Sequence, residues 1–261
     1  MDKQLIEKLA EIVDEAARKA QPITMLTEAH PTMTLDDAYR IQRASIARRL
    51  ARGEALLGLK MGLTSRAKME QMGVHNPIYG HLTDEMARNS GDMVIMSEHC
   101  HPRVEPEIAF LLERDLSGKI GIGDAKAAIG GICGALEVID SRYKDFKFTL
   151  IDVVADNASS TRYVLGDLIE TRTLDVSNLG MVMKVNGAVK EVGSSAAILD
   201  HPLKSLVALV HMLDEVGEGL KAGHVVLAGG ATKAIALEPG SHVSLEVQHL
   251  GTVDLHVSGA A

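Results

Sequence analysis

The sequence predicts an α+β fold, a helical N-terminal part followed by a mixed-β remainder. Three observations predict it. Residues 1–54 carry apolar side chains at helical spacing. After residue 55 the texture changes to short runs of Val, Ile, Leu and Gly bounded by turn residues. Asn186-Gly187, between two alternating runs, is a strong type I′ hairpin signal.

The elements follow in order. Leu5, Leu9, Ile12, Val13 and Ala16 define a first helix over residues 2–20, closed by Pro22. Thr34, with Asp37 three residues on, reads as the N-cap of a second helix. That helix carries Leu35, Ala38, Ile41, Ile46 and Leu50 on one broad face and ends at Gly53. Expected strands are Leu56–Met61, Asp92–Met96, Val104–Leu112, Ala135–Ile139, Ser160–Leu165 and Met181–Val185. His201-Pro202 opens an amphipathic helix running to Val216. Residues 243–248 and 253–257 alternate around Gly251 and read as a last hairpin with one face in the core. The expected division is a helical segment, 1–54, and a mixed-β domain, 55–261.

Composition bounds the function. With no Trp and 3% aromatic residues, the core must be built from Val, Leu, Ile, Ala and Met. A formal charge of −8 and the lack of a basic stripe argue against a nucleic-acid partner. Two cysteines give no disulfide framework. The N-terminus has no signal-peptide core, and no apolar run is expected to reach the roughly 20 residues of a membrane span. A cytoplasmic protein without a membrane partner is expected.

The chemistry concentrates in a few residues. Glu105 and Glu107 flank Pro106 in an otherwise apolar strand, so both carboxylates project from one face. Two adjacent anions on a packed strand repel and are costly to desolvate, and a divalent cation between them removes both problems. A solvated edge strand is the competing explanation, and Pro106 favours it. Glu137, between Leu136 and Val138, is a third carboxylate in an apolar strand. Lys60 lies in another, as a structural ion-pair partner or a cation for substrate. The run His99-Cys-His101 lacks metal-site spacing and reads as a surface loop. No Gly-x-Ser-x-Gly elbow or nucleotide-binding glycine pattern is present.

Several motifs occur in a telling order: Gly58-Leu-Lys-Met-Gly-Leu-Thr-Ser65, Gln71-Met-Gly-Val74, Pro77-Ile-Tyr-Gly80, Glu105-Pro-Glu107, Leu136-Glu-Val-Ile-Asp-Ser-Arg142, Val154-Ala-Asp-Asn-Ala-Ser-Ser160 and His201-Pro-Leu203. Together they resemble the hydratase/decarboxylase branch of the fumarylacetoacetate-hydrolase superfamily, over roughly residues 35–257. The resemblance implies a fumarylacetoacetase C-terminal-like mixed β-roll that holds Mg²⁺ or Mn²⁺. Its metal-binding carboxylates fall on Glu105, Glu107 and Glu137, and its active-site lysine on Lys60. Segments that line the pocket in relatives match Ala155–Ser160 and the turn ending at Thr232.

The branch has two sister activities in aromatic meta-cleavage catabolism. One hydrates 2-hydroxypenta-2,4-dienoate; the other forms it by decarboxylating 2-oxo-3-hexenedioate. The hydratases resemble Pro-Asp-Phe-Gly or Pro-Asp-Tyr-Gly where this chain has Pro77-Ile-Tyr-Gly80, so an acid is replaced by Ile78. Ser159-Ser-Thr-Arg162 also looks like the decarboxylase version, with Arg162 expected on the strand face of Ser160 to hold a second carboxylate. The resemblance therefore implies a decarboxylase, with Ser160, Arg162, Thr232 and Ile78 around a small 2-oxo dicarboxylate. It also implies a homo-oligomer and a complex with the pathway hydratase. The alternatives are the sister hydratase, an acylpyruvate hydrolase and a non-catalytic partner subunit.

Overall fold

The computed structural model describes residues 1–65, 69, 76–170 and 174–259. Helix α1 (Lys3–Lys19) starts where the Asp2 carboxylate accepts from Leu5 N and stops at Ala20 in the left-handed region. After a short α2 (Leu26–Ala29), α3 (Leu35–Ala51) opens on the anticipated Thr34–Asp37 capping box. Ile6, Leu9, Ala10 and Val13 of α1 meet Ala38 and Ile41 of α3. The same cluster takes in Ile78 and the Val153–Ala155 end of a short helix α5 (Leu150–Ala155). Buried Gln42 on α3 donates to the carbonyls of Tyr79 and Val154. The helices thus brace the two segments that later approach Lys60.

The described strands form two sheets. The larger has eight strands in the order β2 (Ile78–Thr83), β1 (Leu56–Gly62), β10 (Val225–Leu227), β5 (Arg103–Leu112), β6 (Ile129–Ile139), β7 (Ser160–Leu165) and β3 (Ala87–Asn89), with β11 (Ile235–Ala236) also on β5. The smaller runs β4 (Met93–Val94), β13 (Gly251–Val257), β12 (His242–Val247), β8 (Gly180–Val185) and β9 (Ala188–Ser194). The main core includes Ile108, Phe110, Leu136 and Val138 of the first sheet and Met183, Leu245 and Leu255 of the second. Leu206, Leu209 and Val210 of α6 (Pro202–Asp214) belong to the same core. Residues of β5 and β6 with the opposite parity, Ala109, Cys133 and Ala135, pack with Leu227 and Tyr163 in a separate cluster.

Strand β5 is interior, which overturns the edge-strand explanation of its glutamates. Pro106 pairs with Leu136 on one side. On the other, the ladder to β10 begins at Ala109 and that to β11 ends at Val104. Between them, the Pro106 carbonyl accepts from Ala231 N. A residue in an antiparallel strand directs its N–H and C=O to the same side. The N–H that Pro106 lacks would therefore have pointed into this gap, where no strand needs it.

Other differences have physical causes. Strand β6 begins at Ile129 rather than Ala135, because Gly130, Gly131 and Gly134 mask the alternation. A side chain at Gly134 would come 2.7 Å from Val247. Strand β2 was not anticipated because all six of its residues are buried, polar ones included, which abolishes the period-2 signal. Helix α4 (Ile122–Ala128) and α5 are too short to show a 3.6 period. Gly251 opens β13 instead of forming the turn. Asn186 and Gly187 both have positive φ, 51° and 78°, as type I′ requires. Ser195–Asp214 does have the length and apolar composition of a membrane span, contrary to expectation. Its helix buries Leu203, Leu206, Leu209, Val210 and Leu213 inside the protein, as a core helix does.

Candidate metal centre

Glu105 of β5 and Glu137 of β6 are directly opposed cross-strand partners, with Glu107 two residues along on the same face. One oxygen from each carboxylate lies within 4.8 Å of the others, and exposures are 5%, 0% and 0%. Lys60 enters from β1 on the far side of β10. Its Nζ stands 2.9 Å from Glu137 Oε2 and donates to the Ala158 carbonyl at 3.3 Å. Glu107 Oε2 accepts from Gly229 N at 2.6 Å. Gly229 has φ +111°, and a Cβ there would fall 2.1 Å from Thr64 Oγ1, so this donor position admits only glycine.

Burial pushes the Glu107 carboxyl well above its ordinary range, and Glu137 and Glu105 push it further. Burial also raises Glu137, against the opposing pull of Lys60. For Lys60, burial alone would favour the neutral amine, but the three glutamates hold its affinity for the proton above normal. Glu107 Oε1 and Glu137 Oε1 are buried without a hydrogen-bond donor, as are the hydroxyls of Thr64, Ser159 and Ser160. Glu107 and Glu137, both fully buried, share the single ammonium of Lys60. Converging oxygen ligands and the orphaned acceptors of Glu107 and Glu137 fit a hard divalent cation.

A second wall comes from residues 156–160. Asn157, Ala158 and Ser159 take φ of 50°, 49° and 58°, three successive left-handed residues without a glycine. Such backbone persists only where its surroundings over-determine it. Arg142, 1% exposed, supplies that constraint. Its N–H, Nε and Nη2 donate to Asp156, and Nη1 reaches the Ser160 carbonyl. Burial raises the Asp156 carboxyl to about 6, with Arg142 opposing. Asn157 exchanges hydrogen bonds with both the N–H and C=O of His81. Gly80 lets this turn close in, since a Cβ there would lie 2.6 Å from the Asn157 carbonyl oxygen. The result is a fixed carbonyl, that of Ala158, aimed at Lys60.

Residues 59–258 match the fumarylacetoacetate (FAA) hydrolase C-terminal family. The chain belongs to the FAA hydrolase family. A 4-oxalocrotonate decarboxylase from a Pseudomonas species is 47% identical over 254 residues, covering 97% of this chain and 98% of that one. A 2-keto-4-pentenoate hydratase from Paraburkholderia xenovorans is 35% identical over 255 residues, covering 97% and 95%. The solved structure of 4-oxalocrotonate decarboxylase from Pseudomonas putida G7, complexed with magnesium and adipate, superposes with a TM-score of 0.96 at 42% identity, covering 98% of each chain. These relatives place the chain in the hydratase/decarboxylase branch of the FAA hydrolase family, with its mixed helix-and-strand fold.

Of the other residues that the family resemblance singled out, two lie near the cluster. Ile78 pairs with Gly62, where a Cβ would sit 3.1 Å from Ile78 Cγ1 and 3.6 Å from Lys60 Nζ. Ser160 is buried opposite Ile139, with its hydroxyl unpartnered. Thr232 points elsewhere: its hydroxyl donates to the Lys233 carbonyl, and its methyl abuts Gly193 of β9. Arg162 does not share a face with Ser160. Val138 pairs with Arg162 but Ile139 with Ser160, so a bulge at Thr161 breaks the alternation. Its guanidinium instead stands 3.2 Å from Glu98. The His99–His101 run is more buried than a surface loop: His99 is 7% exposed, and Asp140 accepts from the N–H groups of Cys100 and His101. Gln71–Val74 lies outside the described residues. Sequence reasoning assigned no role to Thr64 or Arg142, and none to Asp156 and Asn157 beyond a place in a segment matching a pocket wall, although each falls inside a quoted motif. The only local signal was Asn157, a residue type that tolerates the left-handed region.

Proposed function

We propose that this chain is a divalent-metal-dependent carboxy-lyase that converts 2-oxo-3-hexenedioate to 2-hydroxypenta-2,4-dienoate and CO₂. The observation that carries the reading is the buried convergence of Glu105, Glu107 and Glu137 with Lys60. The family relatives support it, and adipate, bound by the similar solved decarboxylase, is also a six-carbon dicarboxylate. Mg²⁺ or Mn²⁺ held by the three carboxylates would supply Lewis-acid stabilisation for negative charge developing on the substrate's C2 oxygen.

In the reaction the C5–C6 bond breaks and C6 departs as CO₂. The electron pair left at C5 spreads through C3–C4 to the C2 oxygen, which then takes a proton to give the dienol. Lys60, held protonated by its glutamate neighbours, offers positive charge to the C1 carboxylate or the developing enolate. The Ala158 carbonyl and Glu137 fix its ammonium in place. Buried hydroxyls of Thr64, Ser159 and Ser160 are free to meet substrate oxygens. Ile78, beside Lys60, keeps water out and favours loss of the leaving carboxylate as neutral CO₂. The test is purified protein with Mg²⁺ and 2-oxo-3-hexenedioate, following CO₂ and the dienol. Full activity after EDTA treatment would overturn the metal role. Formation of 4-hydroxy-2-oxopentanoate from the dienol without CO₂ release would identify the sister hydratase instead.

A further inference from the structure

A cleft of about 470 Å³ opens at the edge of the large sheet, away from the carboxylate cluster. It lies between the C-terminal ends of α1 and α3 and the β3–β7 edge, and neither Lys60 nor the three glutamates line it. Arg49 and Arg52 project from one wall, Arg88 and Arg162 from the other. In a chain of net charge −8, this concentration of arginine calls for a reason.

The acidic groups present satisfy Arg52 but leave Arg49 short of partners. Asp14 is bonded to Arg48 at 3.1 Å and to Arg52 at 2.6 and 2.8 Å. It leaves Arg49 a long contact of 3.8 Å, although that side chain is only 12% exposed. Arg49 Nε is buried with no hydrogen-bond partner. Arg162, 20% exposed, faces Glu98, which is 52% exposed and so offers a screened charge. Arg88 donates to the main-chain carbonyls of Glu85 and Ala87. Burial and the neighbouring Arg88 weaken the hold of Arg162 on its proton, against the opposing pull of Glu98 and Glu85. Glu54 accepts from the Thr83 hydroxyl and stands 3.8 Å from Arg52, and Glu85 is exposed at the mouth.

We propose that this cleft is a second ligand site, for a small dianionic oxyanion, either a phosphate or a dicarboxylate, bound by Arg49, Arg88 and Arg162. Guanidinium groups pair with either oxyanion through parallel N–H···O bonds. The site is independent of the proposed decarboxylation, so the two stand or fall separately.

Calorimetric titration with inorganic phosphate and with succinate tests it, in metal-free buffer at two salt concentrations. The expected result is saturable one-to-one binding of at least one anion, weakened by salt. Arg49→Met and Arg162→Gln should each weaken it about tenfold, as loss of one charge-assisted contact does. Arg88→Gln, at a half-exposed position, serves if Arg49→Met does not fold. Glu107→Gln should bind as the unaltered chain does. Tighter phosphate binding would point to a phosphorylated ligand, tighter succinate binding to a carboxylate metabolite, and either supports the site. No saturable binding of either anion, unchanged binding in the arginine variants, or binding lost in Glu107→Gln would overturn it.

Discussion

Arg142→Met should be among the most damaging single changes outside the carboxylate cluster. Arg142 and Asp156 are 1% and 0% exposed, so the substitution strands a carboxylate in the interior. Removing one partner of a buried ion pair costs about 3–5 kcal/mol. The carbonyls of Asp156 and Ser160 also lose donors. At roughly 2–4 °C per kcal/mol for a domain of this size, the melting temperature should fall by about 6–20 °C. The pH dependence has a definite sign. Burial pushes the Asp156 carboxyl up to about 6 in the folded chain, from an ordinary value of 3.8. Folding therefore favours its protonated form, and stability from this group is greatest below the unfolded value. It declines as pH rises through about 6, by roughly 3 kcal/mol in all. Without Arg142 the carboxyl titrates higher still, so the deficit of the variant should shrink between pH 8 and pH 6 as Asp156 takes up a proton. Thermal unfolding followed by circular dichroism at both pH values reads this out. Arg142→Met with Asp156→Leu should recover most of the loss. A single variant melting within about 2 °C of the unaltered protein would refute the reasoning.

Three further outcomes can be checked. Mg²⁺ or Mn²⁺ should raise the melting temperature more at pH 8 than at pH 5.5, because Glu107 and Glu137, both shifted upward, must shed protons to bind it, and Glu107→Gln should abolish most of that rise. Lys60→Met should lower turnover by at least about a hundredfold under saturating metal, the order expected when a buried charge that meets the developing anion is removed; steady-state assay of CO₂ release measures it. Gly229→Ala should destabilise the protein by more than about 2 kcal/mol in denaturant titration, since its Cβ would overlap Thr64 in a backbone region reserved for glycine.

Much of this was legible in the sequence, and the rest was not for identifiable reasons. The capping box at Thr34, the Asn186-Gly187 turn and the apolar face of α6 depend on neighbours in the chain, and each formed as its residues dictate. The three carboxylates and Lys60 stood out because charges in apolar runs are rare, and the fold brings all four together. Strand β2 was invisible because both its faces are covered. Arg162 was misplaced because a one-residue bulge at Thr161, which no local motif announces, reverses the parity of the strand. Arg142 carried no expected role, and Asp156 none beyond its place in the segment matching a pocket wall. Only the tertiary fold shows that they hold a left-handed turn against Lys60.

The carboxylate cluster and the main hydrophobic core are two faces of the same pair of strands. Val104, Ile108, Phe110, Leu136 and Val138 bury one face of β5 and β6, and that burial fixes the register that sets Glu105 opposite Glu137. A slip of one residue would exchange the faces, sending the carboxylates into the apolar core. The cost of desolvating three anions is thus met by packing on the far side of the sheet, at about 1.5–3 kcal/mol for each large side chain buried. The pattern also explains why Pro106 is tolerated between the two glutamates. It keeps the alternation intact and lacks a donor only on the side where the Gly229–Thr232 turn, rather than a neighbouring strand, passes. That turn needs room to bring the Gly229 amide to Glu107, and a continuous ladder along β5 would have closed it off.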